Sequence, residues 1–250
     1  MSRLLLTLIA LLLSSPGWLI AEDSQKGDSA IERETHNVSG WTVHISKELL
    51  KNEPKATKQA LDLLRKQLAE IIRVVPQPAV AELKKVPLYF SPAYTDKNGG
   101  AEFHPGAEWL KENGRDPVMV KSVEFSNILN FEQETRRMPN FTLHELAHAY
   151  HNLVLKEGFG NPQISEAFLR ARESGKYDNV ERWHGVKNKN TFERAYAMSN
   201  PMEYFAESTE AYFTRNDFFP FTSSELKSHD PEMFELLTEL WGVKETHRKP

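Results

Sequence analysis

Hydrophobic positions along this chain follow several different rhythms, and each predicts an element. Met1-Ser2-Arg3 leads into the largely apolar stretch Leu4 to Leu13, then Ser14-Ser15-Pro16-Gly17 and a small residue at Ala21. That order is the one a secretory signal peptide shows, so residues 1–21 are expected to be cleaved near Ala21 and the protein exported to the periplasm or medium. The apolar stretch is about half of what a membrane-spanning helix needs, and Pro16-Gly17 interrupts its extension, so no stable membrane anchor is expected. Residues 22–40 are polar, charged and without period, which predicts a flexible arm.

The pattern changes at Trp41. Trp41-Thr42-Val43-His44-Ile45 alternates as a strand does, and Ala60, Leu61, Leu64, Leu68, Ile71 and Ile72 recur at helical spacing between Pro54 and Val75. Val86 to Phe90 reads as a second strand. Tyr94 to Gly114 is loop-rich, with Gly99-Gly100 and His104-Pro105-Gly106 marking turns. A third strand is expected from Met119 to Leu129, where Val123 and Phe125 alternate with Glu124 and Ser126. From Asn140 the spacing turns helical, over Phe141 to Leu155, over Gln163 to Arg172 and after Asn200-Pro201. A last helix runs from Asp230-Pro231 to a stop at Gly242. Strands first and helices afterwards, without an internal repeat, predict one α+β domain over residues 41–250 with a small N-terminal sheet lobe and a helical C-terminal lobe.

Composition narrows the chemistry. Lys and Arg number 31 against 35 Asp and Glu, a net charge of -4, so no basic surplus calls for a nucleic-acid partner. Cysteine is absent. Its absence removes disulfide scaffolds, thiolate metal sites, thiol nucleophiles and a cysteine-linked lipid anchor together. Histidine and carboxylate are the metal donors that remain.

His144-Glu145-Leu146-Ala147-His148 is an HExxH pattern inside the helix expected from Phe141. Residues four apart lie one above the other on a helix, so both imidazoles can reach one zinc ion, while Glu145 is turned to the side where it can act as general base on water. A capping box from Thr142 to Glu145 is the competing explanation for the glutamate. Positions where one zinc-peptidase class carries Gly and a third His hold His151 and Val154, so that class is excluded. His151 shares the face of His144 and His148, with a place beside the metal or at the surface.

The third donor must come from another segment, and two glutamates compete. Glu166 lies on the helix Gln163 to Arg172, where Arg170 and Glu173 make its face read as a solvated, salt-bridged one. Glu203 falls in the first turn of the helix begun by Asn200-Pro201, with Glu207 one turn further on the same face. Like charges at that spacing repel, and a metal ligand backed by a carboxylate that takes the outer N–H of a ligating histidine gives the pair a purpose. A capping box from Asn200 to Glu203 is the alternative.

With these residues in view, His144-Glu145-x-x-His148 followed by Tyr196-Ala197-x-x-Asn200-x-x-Glu203-x-Phe205-Ala206-Glu207 resembles the catalytic domain of gluzincin metallopeptidases of the anthrax lethal-factor-like kind, over about Phe141 to Phe213. The resemblance implies a zincin-like metallopeptidase domain acting on a peptide or protein substrate. It implies zinc on His144, His148 and Glu203, Glu145 as base, Tyr196 as donor to the oxyanion and Glu207 behind the ligands. Tyr196 packed beside Phe192 is the plain alternative for the tyrosine. The strand at Val118 to Leu129 is read either as one that pairs with an extended peptide or as an ordinary half-buried one. A zinc-binding protein without catalysis and an amide hydrolase of cell-wall peptides are the other functions compatible with these residues.

Overall fold

The computed structural model describes residues 31–94, 99–126 and 128–244. The expected signal peptide, and the expected arm as far as residue 30, lie outside the described residues. Strands are β1 (Arg33–Val38), β2 (Trp41–Ser46), β3 (Leu88–Phe90), β4 (Ala101–His104), β5 (Ser122–Phe125), β6 (Val180–Arg182) and β7 (Thr191–Glu193). Among the helices, α1 (Lys47–Asn52), α2 (Pro54–Val74) and α3 (Gln77–Leu83) lie between β2 and β3, and α4 (Ala107–Glu112) and α5 (Phe131–Arg137) flank β5. The remainder are α6 (Phe141–Leu153), α7 (Pro162–Ser174), α8 (Pro201–Phe213), α9 (Ser223–His229) and α10 (Pro231–Leu240). The result is a mixed α/β arrangement with a five-stranded sheet, a separate antiparallel pair β6-β7, and most of its helices in the second half of the chain.

The sheet runs β1-β2-β3-β5-β4, with β2, β3 and β5 parallel and an antiparallel strand at each edge. β1 corrects the expected arm, because Arg33–Val38 pairs residue for residue with β2. Its partner is supplied by a two-residue turn in which Ser39 (φ 56°) and Gly40 (φ 95°) both take the left-handed conformation that tight hairpins require. Nothing apolar alternates along Arg-Glu-Thr-His-Asn-Val, so the turn and β2 impose the strand. The third strand is also shorter than expected. β5 covers only Ser122–Phe125 between the short 3-10 turns Pro117–Met119 and Ile128–Asn130, and all four of its residues are buried. Bonded to β3 on one side and β4 on the other, β5 has no free edge for a peptide and is not half-exposed.

One apolar core joins Trp41, Val43 and Ile45 of β2 to Leu64, Leu68 and Ile71 of α2, to Leu143 and Leu146 of α6 and to Phe205 of α8. Leu64, Leu68 and Ile71 on α2 are each fully removed from water, worth about 1.5–3 kcal/mol apiece. The helix also holds the start of α6 by polar contacts: the Gln67 side-chain oxygen accepts from the Thr142 N–H (3.1 Å), and its carbonyl accepts from the Asn140 amide (3.2 Å). Asn140 in turn caps α6 by accepting from the Leu143 N–H at 3.1 Å. The cap of α6 is therefore Asn140, and Thr142 lies inside the helix. Among the described residues no helix is long and apolar enough to cross a membrane.

Candidate metal centre

α6 is buried on almost every side, so its two motif histidines are fixed by packing before any ligand arrives. α8 lies against it and starts where Asn200-Pro201 predicts, with the Asn200 side chain accepting from the Glu203 N–H at 2.9 Å. The Glu203 carboxylate does not turn back to that cap. It reaches across to α6, where Oε2 lies 3.0 Å from His144 Nε2 and 3.3 Å from His148 Nε2, and the two imidazole nitrogens are 3.1 Å apart. Burial works to raise the Glu203 carboxyl, but its bonds from His144 and His148 outweigh it and hold the group well below the usual carboxylate range.

The three separations test whether a zinc ion fits. Bonds of about 2.0–2.2 Å at tetrahedral angles place donor atoms roughly 3.3–3.6 Å apart, so the observed triangle is slightly tighter than that of three zinc ligands with a fourth position open. Two imidazoles and one carboxylate are also a donor set that zinc accepts. The group can hold a metal ion as it stands. Glu166, the other candidate, is exposed on α7 and belongs to none of the clusters able to bind a metal among the described residues. Arg170 on the same helix is paired with Glu232 at 2.6 Å.

Glu145 points to the cleft side of α6. Its Oε2 accepts the Phe103 backbone N–H of β4 at 2.9 Å, a contact that replaces the capping box. Burial pushes its carboxyl up to about 8, with His144 and the Phe103 N–H opposing and Glu203 and Glu102 adding to the rise. A carboxylate so poised is matched to taking and returning a proton near neutral pH.

Tyr196 begins the short 3-10 turn Tyr196–Met198 and is half exposed on the wall of the same cleft. No ring contact joins it to Phe192 among the described residues. The cleft has a volume of about 920 Å³ and is bordered by Gly99 to Gly106, including all of β4, and by His144, Glu145, His148, Tyr196 and Glu203.

Glu207 is displaced from its expected role. The outer nitrogen of His144, Nδ1, donates to Glu210 Oε1 at 2.8 Å, while Glu207 Oε1 stands 3.8 Å away and the other Glu207 oxygen accepts from the Asn216 amide at 3.1 Å. Asn216 draws Glu207 aside, and Glu210 takes the histidine. Glu203, Glu207 and Glu210 stand at i, i+4 and i+7 on one helical face, so the spacing that marked Glu207 marked Glu210 equally. Burial raises Glu207 well above the usual range, and Asp217 and Glu210 add to it. Glu210→Gln is expected to weaken any metal binding at His144 about 10- to 100-fold by freeing the His144 ring and its tautomer. Competition against a chelating dye measures this, and unchanged affinity would refute the orienting role.

His151 is neither ligand nor surface residue. It is fully buried, its ring lies 5.2 Å from Phe159 and 5.1 Å from Phe205, and neither ring nitrogen has a hydrogen-bond partner. Burial, with the nearby His148, pushes it down to about 4, so it is a neutral core residue at pH 7.

The fold and site together define a mixed α/β protein whose open cleft carries a histidine–histidine–glutamate group able to hold a metal. No protein-family model matches the chain, and no curated protein matches it. Among solved structures it is similar to a Pro-Pro endopeptidase from Paenibacillus alvei, with 20% identity and a TM-score of 0.41 over 73% of this chain and 90% of that one. A likeness of that size does not establish a family, and the functional reading rests on the site itself.

Proposed function

We propose that this chain is an exported zinc peptidase, with His144, His148 and Glu203 holding the metal and Glu145 as general base. The observation that carries the reading is the convergence of three donor atoms, 3.0–3.3 Å apart, beside the Glu145 carboxylate in an open cleft. When bound, zinc supplies a Lewis acid that lowers the pKa of water from 15.7 to about 7 and polarises a carbonyl. Glu145, steadied by the Phe103 N–H, receives the proton of the attacking water and delivers it to the leaving amine. The Tyr196 hydroxyl donates to the carbonyl oxygen as charge develops there, a contribution typically about 3 kcal/mol.

Substrate orientation falls to β4 rather than to the strand at Val118 to Leu129, for which the sequence left peptide pairing and ordinary packing open. As an edge strand along the cleft, β4 has one side bonded to β5; on the other side Glu145 takes the Phe103 N–H, and the edge groups beside that contact border the cleft, where an extended peptide can pair. The signal-like residues 1–21 support export, and the absence of cysteine accords with a bacterial extracytoplasmic setting.

Cleavage profiling on a mixed peptide library, with and without chelator, tests the reading. Cleavage that chelator abolishes and zinc restores is expected. Zinc retained on the protein with no cleavage of peptides or cell-wall material would overturn catalysis in favour of a zinc-binding protein.

A further inference from the structure

A second group of metal-type donors lies on the paired strands β4 and β5. Glu102 and Glu124 sit directly opposite each other across the antiparallel β4–β5 pair, and His104 follows two residues after Glu102 on the same face. Opposed carboxylates on one face are destabilising unless a cation intervenes. The His104 and Glu124 side chains are 1% exposed, and His104 Nε2 is 2.9 Å from Glu124 Oε2. One donor atom each from Glu102, His104 and Glu124 lie within 4.8 Å of one another.

The neighbouring cation does not bridge the pair. Arg115 Nη2 is 3.9 Å from Glu102, too far for a hydrogen bond, and the guanidinium rests on the Tyr94 ring, 3.2 Å from its centroid. Arg115 is itself buried, at 4% exposure, and its Nε and Nη1 donors have no acceptor.

Other features suit a metal. The second oxygen of Glu124 is already fixed by the Tyr94 hydroxyl at 2.6 Å, an outer contact of the kind that orients a ligating carboxylate. Glu102, with its side chain 40% exposed, leaves a way in from the cleft.

We propose that Glu102, His104 and Glu124 form a second divalent-cation site, separate from His144, His148 and Glu203, that takes a transition metal such as Zn2+ and ties the edge strand β4 to β5. One imidazole and two carboxylates are a nitrogen–oxygen set that suits Zn2+ or Mn2+. Arg115 offsets part of the negative charge, so this site binds more weakly than the first.

The test is zinc stoichiometry of the full chain after equilibrium dialysis against buffered free Zn2+, read by elemental analysis. About two equivalents are expected for the unaltered protein, and about one for each of His104→Ala, Glu124→Gln and His148→Ala. Glu102→Gln, at a half-exposed position, covers the event that the buried variants misfold, and is expected to weaken the second equivalent at least tenfold. One equivalent in the unaltered protein, or a second equivalent that survives both His104→Ala and Glu102→Gln, overturns the proposal. His148→Ala reports the first site separately, so failure of one site is told apart from failure of the other.

Discussion

Glu145→Gln is expected to retain zinc and lose peptide hydrolysis by about 10²- to 10⁴-fold, the usual range for a positioned general base. The substitution keeps the volume of the side chain and can still accept from the Phe103 N–H through its amide oxygen, the 2.9 Å contact of the native carboxylate. It removes the group that takes the proton. Since Glu145 is not among the three converging donors, the metal should stay. Single-turnover kinetics with parallel zinc analysis separates the two effects. Hydrolysis at the native rate in a zinc-loaded Glu145→Gln protein would sink the assigned base.

His148→Ala or Glu203→Ala removes one corner of the donor triangle, and the expected result is loss of tight zinc binding together with all chelator-sensitive cleavage. A ligand at 1,000 times its dissociation constant stabilises a protein by about 4.1 kcal/mol. For a domain of this size, that corresponds to a rise in melting temperature of roughly 8–16 °C. The unaltered protein should show a zinc-dependent rise of that order, and both variants should lose it. Any rise that persists and then disappears with His104→Ala belongs to the second cluster. A full zinc-dependent rise in His148→Ala, unaffected by His104→Ala, would remove His148 from the metal centre.

The elements that were legible in the sequence are those with a strong local signal. α2 shows its buried face as Ala60, Leu64, Leu68 and Ile71 at helical spacing, and it begins at Pro54 as expected. α8 begins at Asn200-Pro201 and α10 at Asp230-Pro231, because an asparagine or aspartate cap followed by proline specifies a helix start without outside help. Strands were read less well. β1 has a polar sequence and exists through its turn and its pairing with β2. β5 is buried on both faces, so Glu124 and Ser126 looked like solvent positions when they face covered neighbours. Glu124 is satisfied by Tyr94 and His104, partners that no local pattern announces.

The site divides in the same way. That His144, Glu145 and His148 stand together was legible in the sequence alone, because the three are carried by one helix and helical geometry places residues four apart on one face. Which glutamate joins them is a matter between α6 and a helix more than fifty residues on, and helical periodicity within either segment says nothing about their distance. Packing of α8 on α6 brought in Glu203 and left Glu166 on an exposed face. The same packing chose Glu210 over Glu207 for the His144 ring, since Asn216 competes for one of two carboxylates that the helix presents alike. Local spacing therefore determined which residues could act together on one helix, and tertiary structure decided which distant side chains complete the set, because that choice depends on hydrogen-bond competition across the buried interface.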